Sequence, residues 1–332
     1  MLVPAGIYAV INPDGVPANG WAIPMATDTA FALGAMTLLG ARVPRGVIAF
    51  LAALAIVDDI GAVLVIALFY SKALDPAALL WVAGCLGALL ILNSVGVKQV
   101  APYAVGGVLV WYWVVQSGIH GTVAGVLVAA AIPARAKHSP RRFRRGVSTL
   151  MERFRRGDRD EQHAMLDSEA QHLIVQKLYR TAKRATTPLQ RWEDALGMPV
   201  GIFLLPLFAF ANAGLSFDRA ASDAGFPSGI TVGIVLGLVV GKAVGISSMT
   251  WLALRTGFGR LPDDTDIRHI LGLSLLAGIG FTMSIFIAQL SFGEHPSLLT
   301  EAKLGIFLAS IMAALCGLAV LAWVGQRDSD SA

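Results

Sequence analysis

Apolar and polar positions along this chain come in blocks rather than in alternation. Long runs of apolar residues, rich in Gly and Ala throughout, are divided by short polar joints. A bilayer core of about 30 Å takes about 20 residues of helix. Within a few residues at each end, nine blocks meet that length: 21–40, 44–70, 76–96, 101–117, 118–134, 196–216, 229–252, 268–292 and 300–324. The two around 101–134 are short and meet at a tight Ser117-Gly118 joint. Runs that are apolar at every position predict helices, because barrel strands alternate in segments of about ten. Trp21, Trp81, Trp251 and Trp323 stand near block ends, where amphipathic rings favour the interface.

The start departs from this pattern. Met1–Asn12 is apolar, but its dozen residues make only about 18 Å of helix. No basic residue precedes it, so it does not read as a signal peptide. It reads as the second half of a span, with the expectation that the chain as written is an incomplete form of its protein.

Composition narrows the class. The chain is 55% hydrophobic and 14% charged, against about 25% charge in soluble domains. That excludes a soluble enzyme, a disordered chain and a fibre, and leaves an all-α polytopic membrane protein. Of 26 Lys and Arg, 15 lie between Arg135 and Arg191, so the basic excess has a membrane explanation rather than a nucleic-acid one. Cys85 and Cys316 both fall in apolar blocks, which speaks against a disulfide framework or a Cys/His metal site. With the joints taken alternately, one side holds 22 basic residues and the other 3. The positive-inside rule then makes the long loop and the C-terminus cytoplasmic, with the joint at 12–20 outside. The chain divides into 1–134, a partial span and five transmembrane spans; 135–195, a basic cytoplasmic loop; 196–326, four spans; and 327–332, a cytoplasmic tail. Within the loop, Asp167–Arg184 can form a surface helix. The loop serves topology or, alternatively, anionic-lipid binding or regulation.

A charged side chain at mid-membrane costs at least about 2.5–3.5 kcal/mol, so each one needs a reason. Asp28, Asp58, Asp59 and Lys242 stand out. In the run Gly20–Gly34, Pro24 removes a backbone donor, and Thr27 and Asp28 are good caps for a helix restarting at Thr29. This span breaks inside the membrane. Asp28 either caps the second half-helix or meets an ion, with Thr27 offering further oxygens. Asp58 and Asp59 are adjacent, so their side chains diverge by about 100° on a helix. Two carboxylates this close in low dielectric do not easily both stay ionised, and a small cation or protons would relieve the repulsion. Oxygen-only ligands suit Na⁺ or Li⁺; a structural pair satisfied by Lys242 is the other reading. Lys242 either pairs with an aspartate or neutralises a half-helix C-terminus. In 268–292, Gly278 and Gly280 mark a second break or a glycine-lined packing face. By span count 21–40 and 268–292 run in opposite directions, as in inverted-repeat transporters that bind at the crossing of two broken helices. His120, opening the span 118–134, suits pH sensing or plain packing. Glu193, at the start of 196–216, responds to pH or caps a helix.

The stretches GWAIPMATDTAFALG, LAIVDDIGAVLVIALFY, SGIHGTVAGVLVA, LPLFAFANAGLS, VVGKAVGI and GIGFTMSIFIA together resemble the NhaA family of bacterial Na⁺/H⁺ antiporters, in the family's order. The resemblance covers nearly the whole chain except much of 135–190. It implies an inverted repeat with two broken, crossing helices, and electrogenic export of Na⁺ or Li⁺ against protons by alternating access, in pH and sodium homeostasis at the bacterial inner membrane. It implies that Asp59 is the main Na⁺ ligand and Asp58 a proton carrier. Thr27 and Asp28 match the broken-helix residues beside the site, Lys242 the charge-balancing lysine, and His120 and Glu193 positions linked to pH response. No cofactor is implied beyond the transported ions. The family has twelve spans, so two spans and half of a third are absent here, along with the hairpin that supports its homodimer. Two rivals remain in view. An intramembrane aspartyl protease wants its two aspartates on separate helices, and an anion/Na⁺ symporter of the same fold fits poorly with two acids and one lysine.

Overall fold

The computed structural model describes residues 1–71, 74–97, 99–134, 140–157, 169–185, 187–213, 228–262 and 265–331. Lys72, Lys98 and Arg219, used above to set orientation, lie outside the described residues, as do the start of the Asp167–Arg184 segment and the end of the span 196–216. Among the described residues every regular element is helical. In chain order the α-helices are α1 (Leu2–Ile11), α2 (Thr29–Thr37), α3 (Arg45–Phe69), α4 (Pro76–Ser94), α5 (Val100–Gln116), α6 (Thr122–Ala131), α7 (Pro140–Gly157), α8 (Glu169–Ala185), α9 (Pro188–Pro199), α10 (Leu205–Ala213), α11 (Gly229–Val235), α12 (Lys242–Arg255), α13 (Ile267–Leu276), α14 (Phe281–Phe292) and α15 (Pro296–Ser331). A 3₁₀ helix, Val16–Met25, precedes α2, and π turns join α9 to α10 and α11 to α12. Among the described residues five helical stretches are long and apolar enough to cross a membrane, or six when the bent pair α13–α14 counts as one.

Four of the nine expected spans are not single long helices, the bent pair α13–α14 in 268–292 being one of them. The block 21–40 is a 3₁₀ helix, an extended stretch and a short α-helix. Pro24 lies inside the 3₁₀ helix, and Ala26 and Asp28 are extended. The blocks 101–117 and 118–134 are helices of 17 and 10 residues. The second starts only at Thr122, so His120 stands in the joint ahead of it. Gly118 turns the chain there at φ +86°, a left-handed conformation that glycine adopts without cost. The segment 135–195 is not mainly loop, since α7, α8 and most of α9 fall within it. Tail residues 327–331 continue α15.

The chain packs as two compact units, Met1–Lys72 with Gly201–Ala332, and Ala73–Val200. In the first unit, α1 lies along the helix Gly229–Arg255. That helix carries Gly229, Gly233, Gly237, Gly241 and Gly245 at every fourth position. A Cβ on these glycines would meet Asn12, Tyr8, Pro4 or Val3 of α1, and at Gly237 also Pro24. A spacing of four overshoots an α-helical turn by about 40°. The π turn Leu236–Gly241, with its wider i→i+5 winding, takes up that excess and keeps the stripe on α1. Tyr8 is fully buried and donates to the Pro17 carbonyl at 2.8 Å, and Asn12 donates to the Gly229 carbonyl at 3.1 Å. One core gathers Tyr8, Ile23, Ile234, Leu238 and Phe292. A second gathers Met36, Leu51, Leu273, Leu276 and Leu321, where Gly317 sits against Leu276 and Gly272 against Leu321.

In the second unit α4, α5 and α6 bury Leu89, Tyr103, Val110, Val114 and Val128. The Asn93 amide donates to the Ala131 carbonyl at 2.9 Å, and the Asp75 amide to the Ser117 carbonyl at 3.1 Å.

The glycine stripe yields a test. Gly237→Val drives its side chain into Pro24 and Pro4, and overpacking of this kind costs about 1–3 kcal/mol. Gly34→Ala in α2, where nothing lies within 4 Å, is neutral or mildly stabilising. Thermal unfolding in detergent should lower the midpoint clearly for the first variant and not for the second.

Candidate functional site

Asp58 and Asp59 sit in the middle of α3. The helical twist turns Asp58 into the unit, where it is 6% exposed, and leaves Asp59 half-buried. Asp59 accepts from the Thr29 hydroxyl at 3.3 Å. Asp58 forms a short ion pair with Lys242, which is 1% exposed. Lys242 also donates to the Thr27 hydroxyl at 2.8 Å. That hydroxyl lies 2.9 Å from Asp58 and 3.0 Å from the Ala277 carbonyl, and its single proton serves one of these acceptors at a time. Thr27 thereby joins the lysine to the C-terminal end of α13, whose last carbonyls lack intrahelical donors. Both readings of Lys242 are therefore present in the geometry: a direct pair with an aspartate, and a contact to a half-helix C-terminus through one hydroxyl.

Each of the two breaks is pinned against the other. The Asp28 amide donates to the Ile279 carbonyl at 2.6 Å, and the Ser284 hydroxyl to the Ile23 carbonyl at 2.9 Å. Ile23 meets Ser284, while further along the chain Thr27 meets Ala277 and the Asp28 amide meets Ile279, so the two segments of the crossing run in opposite senses. Gly278 passes against the Leu238 carbonyl and Ala313, and Gly280 against Ser284 and Leu238, too close for any Cβ. The chain bends by 48° between α13 and α14. The Asp28 carboxylate caps α2 by accepting from the Phe31 amide at 3.2 Å. It also accepts from the amide of Thr282 at 3.0 Å and from its hydroxyl. One carboxylate at 3% exposure thus serves the N-termini of two half-helices, where partial positive charge collects.

The crossing brings together Thr27, Asp28, Asp58, Asp59, Lys242, Gly278 and Gly280, with Pro24 packed a turn away against Gly237. It does not bring His120 or Glu193, which belong to the other unit. The His120 Nδ1 lies 3.2 Å from the Thr122 hydroxyl. Glu193 lies in α9, a helix whose N-terminus has its own capping box from Thr187 and Gln190, and it lines an apolar cavity of about 830 Å³ walled by Trp111, Val128 and Trp192. Sequence reasoning passed over Thr29 as a partner of Asp59 and Thr282 as a partner of Asp28. It also passed over the π turn directly before Lys242. A signal for Thr29 was its place after Asp28 at a helix start; the π turn left none.

Among the described residues no group of three or more His, Cys, Asp or Glu forms a metal cluster. Two carboxylates with hydroxyl and carbonyl oxygens nearby offer a hard, weakly held cation a place to stop and leave, and a lysine within the same set competes for one of the carboxylates.

A profile of the Na⁺/H⁺ antiporter 1 family matches residues 1–321. The chain is similar to the Na⁺/H⁺ antiporter NhaA 1 of Pseudoalteromonas atlantica, with 44% identity over 96% of this chain and 67% of the relative. It is 45% identical to the Na⁺/H⁺ antiporter NhaA of Syntrophobacter fumaroxidans over 98% of this chain and 70% of that one. With the NhaA of Acidithiobacillus ferrooxidans the identity is 46%, over 99% and 76%. Together with the apolar helices and the broken, opposed pair at their centre, these matches identify the chain as a multi-pass membrane protein of the Na⁺/H⁺ antiporter 1 family.

Proposed function

We propose that this chain is a secondary active transporter that exchanges Na⁺ or Li⁺ for protons at the Asp58/Asp59 site. The observation that carries the reading is the buried Lys242–Asp58 pair beside a half-buried Asp59. Asp59 is the carboxylate within reach of an arriving ion. A cation seated between Asp59 and Asp58 takes the place of the ammonium on Asp58. Two positive charges a few ångströms apart in low dielectric repel strongly, so Na⁺ and the proton on Lys242 exclude one another. Protons on the carboxylates exclude Na⁺ for the same reason. More than one group thus exchanges a proton for each Na⁺, which permits electrogenic exchange. Asp28 holds the half-helix ends in place and contributes negative charge from the rear of the site. The basic segment and the C-terminus face the cytoplasm at the bacterial inner membrane, on the charge asymmetry of the joints. The Lys242–Asp58 pair weighs against an aspartyl protease, whose two carboxyl groups share a proton.

Two outcomes test this. In proteoliposomes, Na⁺-driven proton flux is lost in Asp59→Asn and is lost or uncoupled in Asp58→Asn. In the wild type, half-maximal flux requires more Na⁺ as pH falls, because protons occupy the same oxygens. Full exchange by Asp59→Asn, or a Na⁺ requirement indifferent to pH, would refute the assignment.

A further test concerns stability. Lys242→Ala leaves Asp58 buried and unpaired, a loss of about 3–5 kcal/mol for a broken buried pair. Lys242→Arg keeps the charge and part of the transport. The double variant Asp58→Ala with Lys242→Ala removes both charges and unfolds at a higher temperature than Lys242→Ala alone. Additive losses in that double-mutant cycle would show that the two side chains do not interact.

A further inference from the structure

We infer that α7 and α8 form a helical hairpin that rests on anionic lipid headgroups at the membrane surface. Phe143, Val147, Leu150 and Phe154 recur at helical spacing along α7, and all are half-buried. Ile174, Leu178 and Thr181 do the same along α8. The two helices pack on each other, with Gly146 against Thr181. That accounts for one stripe on each helix, and among the described residues positions on the remaining faces are exposed. On those faces Met151, Leu173, Val175 and Tyr179 are between 45% and 67% exposed, and Arg144, Arg145 and Lys177 are exposed beside them. Met151 lies two turns from Arg144 on the same side of α7, and Leu173 one turn from Lys177 on α8. A helix face that mixes apolar side chains with cations matches the boundary between headgroups and acyl chains.

Charge fixes the occupant. The α7 sequence holds seven arginines against a single acid, Glu152, and cations near an anionic leaflet are drawn to it. The chain also holds the hairpin close. Apolar α6 ends at Ala131 and α7 starts at Pro140, a reach of about 30 Å fully extended. At the other end α8 stops at Ala185 and α9 starts at Pro188, a reach of about 10 Å, comparable with the Debye length at physiological salt. Leu189–Ala211, which begins there, is apolar enough to cross the membrane. The Ala185 end of the hairpin is therefore held close to where this apolar helix begins. An acidic protein partner shares the charge argument but not this tether.

The full chain, with Cys85→Ser and Cys316→Ser and a single Val175→Cys or Met151→Cys, is labelled with a polarity-sensitive fluorophore and placed in lipid nanodiscs. Discs containing one third phosphatidylglycerol should shift the emission to the blue and allow quenching by spin-labelled lipid. Neutral phosphatidylcholine discs should not, and molar salt or the triple change Arg144→Glu, Arg145→Glu, Lys177→Glu should abolish the shift. The triple variant should retain its melting temperature, since the three side chains are exposed. Emission independent of lipid charge would overturn the inference. So would a blue shift that follows protein density in neutral discs, which would assign the face to a second copy, or one that appears only on adding an acidic protein.

Discussion

A helix broken inside a bilayer leaves backbone groups that no water can reach, and each must find a partner within the protein. This chain carries two such breaks, and the rest of the structure is arranged around meeting their demands. The exposed N-termini of α2 and α14 meet on Asp28. The C-terminal carbonyl at Ala277 meets Thr27, and through it Lys242. Two glycines at the second break allow Leu238, Ala313 and Ser284 to come close enough to fill the space a continuous helix would have occupied.

Meeting those demands with charged groups sets up a second problem, because charge in the membrane has to be balanced. Lys242 is paired with Asp58 and would leave it stranded if removed. Asp28 is committed to two helix N-termini, whereas Asp59 accepts a hydrogen bond from the Thr29 hydroxyl and is half-buried. The carboxylate most open to a cation is thus the one least committed to the fold, while its neighbour one residue earlier is committed fully.

Much of this was legible in the sequence because the membrane makes exceptions conspicuous. Four charges inside apolar blocks, a proline and two glycines located the crossing without any knowledge of the packing. The glycines at every fourth position facing α1 stand in the sequence, but their meaning depends on the short helix α1, which reads only as half of a span. The 3₁₀ winding of Val16–Met25 and the π turn before Lys242 had no readable cue, since both are adjustments to neighbours rather than preferences of the residues themselves. The two helices in the basic segment were only half legible. Charge density there pointed to loop, while the apolar spacing that pairs α7 with α8 is a helical signal that the charge conceals.

The double cap on Asp28 has a mechanical side. Bonds from Ile23, Thr27 and Asp28 to Ser284, Ala277, Ile279 and Thr282 tie the two interrupted helices at several points within two turns. Sliding either helix along the other breaks these bonds together, in a medium with no water to replace them. The crossing is a fixed joint, not a hinge. Displacing one break relative to the other costs all of these bonds, so the two interrupted helices are held as a single piece.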